Sequence, residues 1–163
     1  MGGLPLGGNK MLKRYMKFGF RRARKTMRQN YGGPFGACIV KDGNIIAVAS
    51  NMVLKKNDPT AHAEIEAIRK ACRKLKTYDL SGCELYATGY PCPMCLSAII
   101  WANIKKVYFA TDLKDAEEIG FRDDFIYKYL ENKDSDILSL EQVGREDCIK
   151  LFNEYKEQNK VIY

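Results

Sequence analysis

The chain has 163 residues, 46% apolar and 29% charged, a balance that suits one globular domain burying roughly 70% of its unfolded surface and excludes a disordered chain. Its longest apolar stretch, residues 96–102, falls far short of the ~20 residues of a spanning helix, and no charged-then-apolar start reads as a secretory signal; a cytoplasmic protein with no membrane partner is expected. The formal charge of +7 is uneven, because residues 1–41 hold ten Lys or Arg and no acid, leaving a mildly acidic body with 17 basic against 20 acidic residues.

In chain order, residues 1–10 are Gly-rich and aperiodic, which reads as a flexible tail or expression remnant ahead of a single domain over 11–163. Leu12, Met16, Gly19, Ala23 and Met27 recur at steps of three or four, predicting a helix over 11–27 with a narrow packing stripe and a basic outer face. Gly32-Gly33-Pro34-Phe35-Gly36 predicts a loop where backbone approaches backbone closely. Residues 37–41 and 44–49 read as strands, and the Asp42-Gly43 pair between them is a hairpin turn signal, since both residue types tolerate left-handed φ.

Asn57-Asp58-Pro59-Thr60 supplies capping side chains and an early proline, so a second helix is expected to begin there, with Ala61, Ile65, Ile68 and Cys72 on its buried stripe. Residues 83–88, 93–102 and 106–111 alternate strand, helix and strand, which predicts a parallel pair joined by a crossover. Residues 125–131 and 145–160 look helical and 137–143 strand-like. The sum is an α/β domain, a three-layer α/β/α sandwich around a mixed five-stranded sheet.

Six cysteines could mean disulfides, but a domain with its own core in a reducing compartment has no need of them. Cys38, Cys72, Cys83 and Cys148 read as structural thiols, and only Cys92 and Cys95 have ligand spacing. Residues three apart share a helix face, so both sulfurs can reach one point, and a helix N-terminus favours thiolate. His62, the sole histidine, would make a third ligand. Structural zinc usually has four protein ligands; three leave a position for water, which points to catalysis by one zinc per chain. Glu64, two residues after the histidine, is then the proton carrier, because this H-x-E with P-C-x-x-C arrangement is the signature in which zinc deaminases use a non-ligand glutamate as general acid and base.

The motifs Gly32-Gly33-Pro34-Phe35-Gly36-Ala37, Asn57-Asp58-Pro59-Thr60-Ala61-His62-Ala63-Glu64 and Trp101-Ala102 carry a wider likeness, as do Asp115-Ala116, Gly120-Phe121, Phe125-Ile126-Tyr127 and the terminal Tyr163. On these the sequence resembles the cytidine deaminase-like superfamily over residues 11–163, and within it the bacterial guanine deaminases. The resemblance implies a zinc-dependent hydrolase acting on a cyclic amidine C–N bond of a purine base, guanine plus water giving xanthine plus ammonia. It implies substrate contacts from Phe35, Asn51, Ala63, Trp101, Asp123 and Tyr163: Asn51 bonding the base, Phe35 and Trp101 walling it, Asp123 holding its polar edge, His62 stacking on it. It further implies a homodimer whose C-terminal segment crosses to the neighbour, bringing Tyr163 to the neighbour's pocket. Guanine recognition needs both acceptors and a donor, and Asp123 and Asn51 supply both types. Tyr90 stands before Pro91, where the family's motif has Glu.

Three alternatives share these residues: a tRNA-specific adenosine deaminase using the basic arm on RNA phosphates, a deaminase of another small amino-heterocycle or nucleoside, and a noncatalytic nucleic-acid-binding or zinc-stabilised structural domain in which the metal only ties two helix ends together.

Overall fold

The computed structural model describes residues 6–163, with side chains of the first helix from Asn9 onward. The expected tail lies outside the described residues as far as residue 5. Its remainder is helical, since α1 (Leu6–Arg28) starts before Met11. Two units divide the chain at Asp123/Asp124.

In the first unit, β1 (Gly36–Lys41) and β2 (Asn44–Ser50) form the expected hairpin, with Lys41 opposite Asn44. The turn residues Asp42 and Gly43 have φ of 50° and 76°, the left-handed geometry a two-residue hairpin loop requires. A register shift after Ile39 bulges the pair. The crossover is also as expected: β3 (Cys83–Gly89), α4 (Pro93–Trp101) and β4 (Lys106–Thr111), with β3 and β4 parallel. β3 pairs antiparallel with β1, so the sheet is mixed and runs β2-β1-β3-β4.

Alternation along the inner strands builds a core on each face. Ala37, Ile39, Leu85 and Ala87 pack on one side with Ala63, Ala67, Ala71, Ile99 and Ala102 from the crossover helix and the helix before it. Cys38, Val40 and Tyr86 face the other way against Tyr15, Leu12 and Met16 of α1. The Tyr86 ring lies between Tyr15, at 5.2 Å, and Tyr108, stacked at 4.9 Å. α1 comes down on β1 through two glycines, and a Cβ on Gly36 would stand 2.0 Å from the carbonyl oxygen of Gly19.

Two further expectations need correction. The helix expected near residues 57–60 starts later, as α3 (Ala63–Leu75), and a short helix α2 (Val53–Lys56) precedes it. Asn57 takes the left-handed conformation that closes α2, and Asp58 accepts from the Thr60 amide at 2.8 Å and its hydroxyl at 2.6 Å. That side-chain turn offers the backbone an alternative to helix. Beyond β4, α5 (Leu113–Glu118) carries a reciprocal capping box between Asp112 and Asp115.

The second unit holds α6 (Asp124–Asn132) and α7 (Arg145–Glu157). The fifth strand expected over 137–143 is absent from the described residues, and the sheet has four strands. The segment opens in a turn instead: the Asp134 carbonyl accepts from the Ile137 and Leu138 amides at 3.1 and 3.2 Å, and its carboxylate accepts from the Asp136 amide at 3.0 Å. The first two residues of the expected strand thus spend their donors locally. Leu140 and Val143 of this segment are exposed, the latter by 89%. Among the described residues no helix is long and apolar enough to cross a membrane.

Candidate metal centre and active site

The start of β1 and the ends of β2, β3 and β4 meet at one end of the sheet, where Gly36 lies opposite Ser50, Ala37 opposite Ala87, and Gly89 opposite Thr111. α3 and α4 both begin there. Open α/β sheets bind ligands beyond the carboxyl ends of their parallel strands, and this is that end of β3 and β4.

His62 is the N-cap residue of α3 and Cys92 that of α4. N-cap positions usually carry a side chain that bonds back to the first turn, yet neither of these does. Both side chains turn instead to a shared point, with Cys95 one turn into α4 and fully buried. His62 Nδ1 stands 3.5 Å from Cys92 Sγ and 3.6 Å from Cys95 Sγ. Zn–S and Zn–N bonds at a tetrahedral angle would separate sulfur from nitrogen by about 3.5–3.6 Å, so the donor set fits that ion in both spacing and chemistry. His62, Cys92 and Cys95 are positioned to hold one zinc.

The cluster's electrostatics favour a cation. A hydrogen bond from Cys95, with a further one from His62, lowers the Cys92 thiol to about 4 despite burial. Bonding to Cys92, then burial, pushes Cys95 well up, and bonding to Cys92 raises His62. One thiolate is thus present before any metal arrives. Glu64 lies in the first turn of α3 and is buried. Burial raises its carboxyl above the usual range, opposed by a hydrogen bond from Cys95.

Sequence reasoning missed what anchors this loop. Glu66, buried in the same turn, pairs with Lys56 at 2.5 Å and Arg69 at 3.4 Å, and Arg69 reaches Asp58 at 3.6 Å. These ion pairs tie α2, the 57–62 loop and α3 together around His62. The i,i+3 spacing of Glu66 and Arg69 was the available signal. Thr88 Oγ1 accepts from the Gly36 amide at 2.9 Å, a tertiary bond with no local signature.

The expected substrate residues divide. Ala63 is buried between His62 and Glu64. The Asn51 amide donates to the Phe35 carbonyl and that of Met52 to the Ala61 carbonyl, both at 2.9 Å, so Phe35, Asn51 and the approach to His62 lie side by side. Asn51 is buried, and its Oδ1 accepts from Gly33 and Val53 amides at 3.3 and 3.1 Å, leaving Nδ2 as its remaining hydrogen-bonding group. A Cβ on Gly32 would lie 2.3 Å from Asn51 Oδ1, which is why this loop needs glycine. Phe35 is half-buried and meets Phe121 edge-on at 5.0 Å. Trp101 is not brought to the ligands: it ends α4, about 9 Å along the helix axis from Cys95, and is 74% exposed. Asp123 is half-buried at the close of the first unit, and Tyr163 is exposed at the end of the second. Tyr90 packs edge-on against Phe109 at 5.0 Å.

Comparison with known proteins agrees with this geometry. Residues 9–111 match the cytidine and deoxycytidylate deaminase zinc-binding region. A guanine deaminase of Bacillus subtilis is 52% identical over 117 residues, 72% of this chain and 75% of that protein. A tRNA-specific adenosine deaminase of Aquifex aeolicus is 47% identical over 96 residues, 59% of this chain and 63% of its own length. The X-ray structure of guanine deaminase from Bacillus subtilis superposes with a TM-score of 0.87 at 44% identity, covering 93% of this chain and 98% of that one. The chain belongs to the cytidine and deoxycytidylate deaminase family, whose zinc-binding region it carries in full view as His62, Cys92 and Cys95.

Proposed function

We propose that this chain is a zinc-dependent guanine deaminase, a hydrolase that converts guanine and water to xanthine and ammonia in the cytoplasm, where its free thiols are at home. The observation that carries the reading is a buried carboxyl, Glu64, two residues from a ligand in a three-donor cluster spaced for one tetrahedral ion. Likeness to guanine deaminase over three quarters of that protein supports the substrate.

Bound zinc supplies Lewis acidity that lowers the pKa of water toward ~7. Glu64 does the proton work: it takes one proton from the attacking water and passes it to the ring nitrogen, then takes the second from the hydroxyl so added and delivers it to the amine, which leaves as ammonia while the new carbonyl forms. Burial, which raises its carboxyl above the usual range, favours the protonated form the group takes between accepting and delivering a proton. Asn51 Nδ2 donates to the base's carbonyl oxygen, and Asp123 accepts from its ring N–H groups. Phe35 and Ala63 line the pocket, with His62 stacking on the base. Trp101 and Tyr163, both exposed, complete it through a homodimer with exchanged C-terminal segments. The exposed Leu140, Val143, Phe152 and Ile162 are the apolar surface such an exchange would cover.

Deamination of adenosine in tRNA is a second reading, favoured by the basic α1 and the Aquifex relative. Ultraviolet spectra of the purified protein with guanine, adenine, cytosine and tRNA separate the two. Conversion of guanine alone is expected; inosine in tRNA with guanine untouched would overturn the substrate and spare the proton chemistry.

A further inference from the structure

Eight of the nine cations of α1 share one face, Arg22 being the exception. At about 100° per residue, Lys10, Lys13, Arg14, Lys17, Arg21, Arg24, Lys25 and Arg28 fall within an arc of about 120°, opposite the buried Tyr15, Ala23 and Thr26. All eight are exposed, α1 has no acid in its first turn, and among the described residues none of the eight forms an ion pair. Neighbours such as Lys13 and Lys17, Lys17 and Arg21, or Arg24 and Arg28 sit one turn apart, where like charges destabilise a helix. Such a row of like charges makes a one-sign field along the helix that attracts a polyanion.

We propose that the outer face of α1 docks a nucleic-acid strand. The line runs about 27 Å and carries eight positive charges, about 3.9 Å apart along the axis, a linear charge density of the same order as that of one nucleic-acid strand, about one charge per 3.4 Å of duplex axis. Phe20, exposed at the edge of the line with the Arg24 guanidinium 4.5 Å over its ring, adds a face on which a base can stack. A membrane surface is the poorer fit, because a helix lying on lipid inserts its apolar face, and that of α1 is packed on the sheet through Tyr15, Leu12 and Met16. The proposal holds whatever base the active site accepts.

The test is fluorescence anisotropy of the full chain with a labelled single-stranded RNA of about 20 nucleotides across a salt series. If about six phosphates are neutralised, log K falls against log salt with a slope of about −4, a loss of roughly 300-fold between about 50 and 200 mM. K17Q/R21Q/R24Q, which replaces three cations with neutral polar side chains, is expected to halve that slope and weaken binding at least tenfold at the lower salt. K74Q/K105Q/K114Q removes equal charge from exposed sites elsewhere and is expected to bind like the unaltered chain. Equal binding by the α1 variant, an equal loss in the control variant, or tighter capture of phosphatidylserine vesicles or polyglutamate than of RNA would overturn the proposal. Guanine turnover on the same samples, expected unchanged in both variants, reports the catalytic reading separately.

Discussion

His62 Nδ1 and Cys92 Sγ stand 3.5 Å apart although 30 residues separate them in the chain. Each begins a helix without capping it. What brings them together is the sheet, since α3 follows β2 and α4 follows β3 and both strands end on the same side. The metal centre is a consequence of where two helices start.

Loss of any one of the three donors should therefore empty the site. For His62→Ala and Cys95→Ser, zinc by elemental analysis is expected to fall from about one per chain to under a tenth, with turnover falling at least ~1000-fold. Zinc retained at full occupancy in His62→Ala would mean another group completes the set.

Glu64→Gln separates holding metal from moving protons. The amide keeps the shape of the side chain but can neither accept nor deliver a proton, so zinc content should stay near one per chain while ammonia release drops by roughly 100- to 10,000-fold. Undiminished ammonia release would transfer the proton role to another residue.

Metal-free protein should carry a thiolate that resists acid. Lowering the Cys92 pKa to about 4 keeps the sulfur charged as pH falls from 8 to 6, so its alkylation by iodoacetamide should be nearly flat over that range. A small-molecule thiol, with pKa ~8.5, loses roughly tenfold per pH unit below that value. Cys38, pushed up to about 11 by burial, should stay unlabelled until the chain unfolds. Peptide mass spectrometry resolves the two sites, and zinc should protect Cys92. A steep fall in Cys92 labelling between pH 8 and 6 would refute the shared-proton arrangement.

Glu66 offers a stability test. Lys56→Met with Arg69→Met leaves its buried carboxylate without a cation, which should cost about 3–5 kcal/mol by urea unfolding, whereas Glu66→Gln alone should cost about 1–2 kcal/mol because both cations remain half in solvent. Equal costs would show that the ion pairs do not govern the loop.

The parts of the fold that were readable in sequence are those decided within a few residues. Asp42-Gly43 sets a turn by its own φ preferences, strand alternation needs only neighbours, and the Cys92/Cys95 spacing follows from one helical turn. Other features depend on partners far along the chain. Residues 137–143 have strand composition, yet a strand exists only with a neighbour, and Asp134 claims the nearby amides first. Asn57 and Asp58 look like helix-starting residues and instead close one helix and turn the chain.

The meeting of Gly19 and Gly36 has an outcome for how this protein tolerates change. Because main chain rests directly on main chain there, one added methyl at residue 36 must pry the basic helix away from the strand whose first residue follows Phe35. The least conspicuous residues in the molecule thereby couple its charged exterior to its catalytic rim, and sequence drift should be slowest where there is no side chain to see.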